Sequence, residues 1–568
     1  MNMRPLLRVA LAAAFVAILA GSASASATLT IVNNDAAGEG FTAATVVAPI
    51  GGNPGLTRGQ QRLNVFQTAA SIWGSILDSS VPIQVLATFD PLTCSPTSGV
   101  LGSAGPRFAE VNFSGAEFPN TWYHEALADK LAGSNLASSQ AISARFNSDV
   151  DNSVCLGTRS WYYGYDHNEG SDIDLLPVVL HELGHGLGFS TVTNGSTGVQ
   201  LTDPSAGAFP AVFDRFLLNT STGKHWNQMT NAERQASAIN TNNLVWDGAA
   251  VTFKAPLVLA KRPQLSITSP AGIAGLYVPG SSSFGAAYTP AGVTANIVLV
   301  TDPTIPVNDG CETPFTNAAQ VAGNIALIDR NLCTFTAKAL NAQSAGAIGV
   351  LIINNTGGAL SPTGSDPTIT IPVMGLTQAD GNTIKTALVS GSVVGTMRAH
   401  PTMYSGTDAA HRALMYSPNP YQGGSSVSHF DVSAAPNLLM EPAINSDLTN
   451  SVDLTKELFE DIGWMARTTD APAPKLPSGA ALASAPNPTR KGTLVHFELA
   501  REEALELSLM DVSGRQVARL ARGTYGAGTH EVRWDGRTSS GMKAAPGVYL
   551  VHLRGEHTDR SLTLVLLD

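Results

Sequence analysis

His181 and His185 stand four residues apart in DIDLLPVVLHELGHGLGFS, and that spacing constrains the local fold more than any other feature of the chain. On a helix, side chains four residues apart lie one turn from each other on the same face, so both imidazoles can reach one cation. Glu182 follows the first histidine directly and is placed to act as a base on a water at that cation. The apolar residues before the pair predict a buried helix over Leu175 to Leu187. Gly188, three residues after His185, suits the left-handed or tight turn that would end it.

Two imidazoles need a third ligand to make a stable site. Three residues beyond Gly188 stands Thr191, which is a poor one. A later candidate is His429 in SVSHFDVSAAPNLLMEP, followed eleven residues on by Met440. Glu233 in NAERQ and Asp214 in VFDRF are rival ligands, while His225, His400 and His411 read as surface or supporting histidines. His181, Glu182, His185 and Gly188 resemble the HExxHxxGxxH signature of the metzincins, and the pattern departs at Thr191. With His429, Met440 and a helix ending in DIGW at Trp464, the chain is similar to the leishmanolysin-like metzincins, where an insertion also separates the second and third ligands. That resemblance implies one catalytic Zn2+ held by His181, His185 and His429, with Met440 as the floor of a Met-turn. It also implies peptide hydrolysis by a zinc-activated water, with Glu182 as general base.

At 568 residues the chain is long enough for several domains. A strand at TLTIVNN, an amphipathic helix over Gln60 to Leu77, and strands at Val81 to Asp90 and Ala141 to Asp149 predict an α+β catalytic domain around the histidine helix. Its two parts are read as residues 28–265 and 396–467. By the same resemblance, exposed backbone near ARFNSD is the expected edge for strand addition by an extended substrate; Tyr416 and Tyr421 read as residues of a β-rich surface, with oxyanion stabilisation as their other reading.

Between the two parts, IALID, a helix over Thr336 to Ala345 and AIGVLIIN form a strand, helix, strand unit. Residues 266–395, with Cys311, GNIALIDR, Cys333 and IPVMGL, resemble a protease-associated (PA) domain, a non-catalytic α/β module found in unrelated peptidases. A long insertion is tolerable because loop closure grows only logarithmically and domain ends commonly lie close together. Four cysteines allow three pairings; the sequence-local one is Cys94 with Cys155 and Cys311 with Cys333.

Residues 468–485 are rich in Pro, Ala and Ser and read as a linker. Beyond it, alternating segments such as LVHFEL, LELSLMDV, HEVRWD and VYLVHL predict a small all-β sandwich over 486–568. Those segments, with PNPTRKG and APGVYL, resemble FlgD-type Ig-like and secretion-sorting domains. The resemblance implies a surface tether or a contact with secretion machinery.

At the other end, Arg4 and Arg8 precede an apolar run from Val9 to Ala20 and the small residues GSASASA, the pattern of a signal peptide over residues 1–27. Secretion or display at the cell surface is therefore expected, with no membrane span in the mature chain. Net charge is -11 without a long basic run, which argues against nucleic-acid partners. The expected function is a secreted zinc metalloendopeptidase acting on proteins or peptides. The alternative is a non-catalytic adhesion or binding protein on a protease-like scaffold.

Overall fold

A computed structural model describes residues 26–465 and 482–566, apart from 138, 153–154, 359, 446, 486–488, 490–492, 500, 502, 512–514, 527, 540–541 and 556. The apolar leader and most of the Pro/Ala/Ser-rich stretch lie outside the described residues. Two units result, residues 1–467 and 468–568. No described helix is long and apolar enough to cross a membrane.

The first unit opens with β1 (Leu29–Asn33), α1 (Arg58–Ile76), β2 (Ile83–Asp90), β3 (Gly102–Pro106), α2 (Glu125–Ala132), β4 (Gln140–Asn147) and α3 (Leu175–Leu187). The sheet order is β1-β2-β4-β3, parallel except for β3, which pairs antiparallel with β4 and sets Ala104 opposite Ala144. The strand containing ARFN is therefore internal. The free edge expected there belongs instead to β3, whose GSAGP lacks any β-branched residue and forms a strand because β4 offers it a partner.

A capping box between Thr57 and Gln60 starts α1, and its apolar face buries Val65, Phe66, Ala69 and Trp73. The Trp73 indole N–H crosses to α3 and donates to the Leu180 carbonyl at 3.1 Å. The Asp174 carboxylate caps the start of α3 by accepting from the Leu176 N–H at 3.1 Å. Every residue of α3 except Glu182 and His185 is buried. A helix that is apolar all round belongs in a core, so these two side chains mark the face left open.

After α4 (Ala249–Val258) the inserted segment builds one mixed sheet from β5 (Lys261–Ser269), β6 (Gly275–Tyr277), β7 (Gly280–Ser281), β8 (Val293–Leu299), β9 (Ile325–Asp329), β10 (Gly349–Ile353), β11 (Val373–Leu376) and β12 (Val393–Tyr404). Their order is β6-β5-β12-β8-β9-β10-β11-β7, with β8 to β11 parallel. Helices α5 (Phe335–Ser344) and α6 (Gln378–Ser390) supply crossovers, and the central strands read as unbroken apolar runs because both faces are covered. The strands extend a few residues beyond 266–395 on each side. Strands β5 and β12 pair antiparallel, Lys261 opposite Tyr404 and Gln264 opposite Arg398, so the insertion leaves beside the place where it entered.

The chain then pairs Ala413–Leu414 antiparallel with Leu244–Trp246 and ends the unit with α7 (Thr455–Ile462). The Asp461 carboxylate of α7 accepts from the Trp246 indole at 3.0 Å and from the Ala250 and Val251 N–H groups at 2.8 and 3.3 Å, which ties α7 to the start of α4. The Trp464 indole closes α3 by donating to the Leu187 carbonyl at 2.7 Å. Both disulfides are the sequence-local ones, with Cα–Cα separations of 5.4 Å for Cys94–Cys155 and 5.7 Å for Cys311–Cys333.

The second unit contains β13 (Leu482–Ala485), β14 (Thr493–Leu499), β15 (Glu503–Asp511), β16 (Gln516–Tyr525), β17 (Gly528–Trp534), β18 (Gly547–Gly555) and β19 (Asp559–Leu566). They form sheets β13-β14-β17 and β16-β15-β18-β19 around a core that includes Val495, Phe497, Leu507, Leu509, Val551 and Leu553. The last four residues of the expected linker are thus strand, because Leu482–Ala485 pairs antiparallel with β14.

Candidate active site

On the open face of α3, the His181 and His185 Nε2 atoms lie 3.2 Å apart. The His429 Nε2 joins them at 3.2 Å from His185 and 3.3 Å from His181. His429 is delivered by a loop pinned between two neighbours: its carbonyl accepts from the Tyr416 N–H, and the Phe430 N–H donates to the Met440 carbonyl, at 2.9 and 2.8 Å. The three residues expected to share a cation are therefore brought together from segments 244 residues apart.

Each ring is fixed by its other nitrogen. The Nδ1 atoms of His181, His185 and His429 face the carbonyls of Leu439, Phe189 and Ser425 at 2.7, 2.8 and 2.8 Å. A carbonyl only accepts, so each Nδ1 carries the proton and each Nε2 presents a lone pair. Three lone pairs converging without a hydrogen between them repel, and a cation removes the conflict. Tetrahedral coordination at 2.0–2.1 Å separates imidazole nitrogens by about 3.3–3.4 Å, close to the spacing found here. Burial also lowers the imidazole pKa values, to about 4 for His181 and about 3 for His429, and well below the ordinary value for His185. All three rings are thus neutral at neutral pH, the form that binds metal.

Glu182 stands beside them. Its Oε2 accepts from the Ala104 N–H of β3 at 2.9 Å, and burial pushes its carboxyl up to about 7. The site forms the floor of a cleft of about 700 Å³. One wall is the stretch Gly99 to Ala104, and the other carries Ser425, Ser428 and Pro442 to Ile444.

Met440 is fully buried beneath the helix, and the residue before it supplies the carbonyl that orients His181. A Cβ on Gly184 would come within 2.8 Å of the Met440 sulfur, so the glycine inside HELGH lets this turn approach the helix. The turn is braced by carboxylates. Asp453 accepts from the Leu439 N–H at 2.5 Å and Glu441 from the Leu438 N–H at 2.8 Å. Gly188 ends α3 at φ 124°, a conformation that L side chains rarely adopt. Gly184→Val is expected to lower the stability of the full chain by about 1–3 kcal/mol in denaturant titrations, because a well-packed contact would be overfilled.

The rival ligands are committed elsewhere. Glu233 is partly exposed, ion-pairs with Lys224 at 2.5 Å and caps its own short helix through Thr230. Asp214 is buried, with its two oxygens accepting from the Thr191 and Thr193 hydroxyls at 2.5 Å each, so it shapes the chain leaving α3. His225 pairs with Asp247 at 2.6 Å, the His400 ring accepts from the Thr402 and Met403 N–H groups, and His411 bonds the Thr402 carbonyl. Neither Tyr416 nor Tyr421 lines the cleft: Tyr416 bonds Gln422 at 3.1 Å and Tyr421 packs against Gly195. Two features had no signal in the sequence. One is the Ala104 N–H that anchors Glu182. The other is buried His124, whose Nε2 lies 2.8 Å from the hydroxyl of the cleft residue Ser190.

The family model for the PA domain matches residues 293–384, and that for the FlgD Ig-like domain matches residues 486–559. Leucine aminopeptidase 2 of Arthroderma otae is 36% identical over 107 residues, which are 18% of this chain and 20% of that protein. Signal peptide peptidase-like 2 of Arabidopsis thaliana is 38% identical over 90 residues, 15% of this chain and 16% of its own. The chain thus spans a fifth or less of the length of these curated relatives. Among solved structures, the zinc aminopeptidase BSAP from Bacillus subtilis aligns at 24% identity over 27% of this chain and 35% of its own, with a TM-score of 0.19. So partial a superposition establishes no shared catalytic fold. The chain therefore carries a PA domain at residues 293–384 and a FlgD Ig-like domain at residues 486–559, together with a three-histidine site that neither family model covers.

Proposed function

We propose that the chain is a zinc metalloendopeptidase whose catalytic part is metzincin-like, exported to the medium or the cell surface. The observation that carries this reading is the convergence of three Nε2 lone pairs at tetrahedral spacing beside an anchored carboxylate. Zinc held by His181, His185 and His429 would supply Lewis acidity toward the scissile carbonyl and the attacking water. One ion suffices for this donor set.

The remaining steps belong to the protein. Glu182 takes a proton from water as its oxygen attacks the carbonyl carbon, then delivers that proton to the leaving nitrogen as the C–N bond breaks. Burial raises the affinity of the Glu182 carboxyl for a proton, which suits it to take one up from water. The tie to Ala104 fixes one carboxylate oxygen. Strand β3 has only one sheet neighbour, so its outer side can align an extended substrate by strand addition.

Internal cleavage is favoured over removal of N-terminal residues by the chemistry of the walls. An aminopeptidase needs a carboxylate for the free α-ammonium, and among the described residues lining the cleft Glu182 is the sole acid. The PA domain is read as a non-catalytic module, and the Ig-like domain as a tether or sorting element.

The test compares a peptide blocked at both ends, casein, and a leucine anilide as substrates for the purified chain. Cleavage of the blocked peptide and casein, lost on chelation and restored by zinc, is expected. Activity confined to the anilide would overturn the endopeptidase reading. Cleavage that survives chelation would remove the metal mechanism, and bound zinc without any cleavage would favour a binding protein on the same scaffold.

A further inference from the structure

Within the PA domain, the segment between β8 and β9 gathers a second group of ligand atoms. Carboxylate oxygens of Asp302, Asp309 and Glu312 all lie within 4.8 Å of one another. Asp302 is 1% exposed and Asp309 0%. One oxygen of each is tied to the backbone of its own loop: Asp302 Oδ2 accepts from the Gly310 N–H at 2.8 Å, and Asp309 Oδ1 from the Cys311 N–H at 3.2 Å. The second oxygens, Asp302 Oδ1 and Asp309 Oδ2, are buried without a donor in good hydrogen-bond geometry, although the Thr304 N–H and the Asp309 carboxyl both act on Asp302.

Leaving two buried carboxylate oxygens unpartnered is costly, because neither water nor protein replaces the lost hydration. Lys338 is also buried nearby, but its ammonium donates to the Asp309 backbone carbonyl at 2.5 Å and approaches Cys311 Sγ at 3.3 Å. Three carboxylates against one ammonium leave two negative charges, which one divalent cation balances. The available side-chain donors are oxygens, which select a hard cation such as Ca2+ over the softer metals that favour imidazole and thiolate.

We propose that Asp302, Asp309 and Glu312 form a calcium site that fastens this loop of the PA domain next to the Cys311–Cys333 disulfide. This inference is independent of the peptidase reading, since it involves none of the residues of the histidine site.

The test is calorimetric titration of Ca2+ into the full chain after treatment with EGTA, paired with melting temperatures in calcium and in EGTA. One equivalent bound, with a higher melting temperature in calcium, is the expected result. Asp302→Asn and Asp309→Asn keep size and acceptor oxygens and should each weaken binding by at least about tenfold. Glu312→Gln, at a partly exposed position, provides a variant with less effect on folding and should weaken binding as well. No uptake at about 10 mM Ca2+, well above the range typical of weak protein sites, overturns the proposal. Uptake undiminished in all three variants overturns it equally. In either case Asp302 and Asp309 share a proton instead of a cation.

Discussion

Glu182→Gln is expected to reduce hydrolysis of a blocked peptide by about 10²–10⁴-fold, the usual contribution of a positioned general acid or base, while zinc content stays the same. The amide keeps an oxygen that can accept from the Ala104 N–H, so the edge strand and the cleft wall stay in place. Glutamine cannot take up a proton from water, however, and the reaction loses its base. None of the three ring nitrogens bonds Glu182; their outer partners are the carbonyls of Leu439, Phe189 and Ser425. The two readouts therefore separate, turnover collapsing while the metal remains. Equal loss of zinc and activity would place Glu182 in the coordination of the cation and refute its assignment as base.

The second large effect concerns His429. Removal of its ring in His429→Ala should weaken zinc binding by at least about 100-fold, since even partners one step removed from a metal are worth 10–100-fold. His185→Ala should do the same, because each ring supplies one of three converging lone pairs. Glu233→Ala should leave zinc unchanged, because that carboxylate is held by Lys224 and Thr230. Metal analysis after dialysis reads all three. Retention of zinc by His429→Ala together with loss in Glu233→Ala would replace the three-histidine site by a two-histidine, one-glutamate one.

Much of this site was legible in the residues because its constraints are local. The buried helix follows from an apolar run around HELGH, and the two histidines share a face by helical geometry alone. His429 could be singled out only through the Met440 pattern downstream; nothing in its own spacing from His185 encodes proximity. What escaped is what tertiary packing decides. Strand β3 has the composition of a loop and becomes an edge because β4 has an unfilled side. The Ala104 N–H that holds Glu182 is a backbone group, so no residue type announces it. His124 beside Ser190 carries no motif, since its partner lies 66 positions away.

The antiparallel exit of residues 261–404 also sets an order of events. A nascent or truncated chain that stops between positions 185 and 429 has two of the three imidazoles and no turn beneath the helix. Such a fragment cannot complete the three-histidine cluster, which closes only when the whole unit has been synthesised and folded.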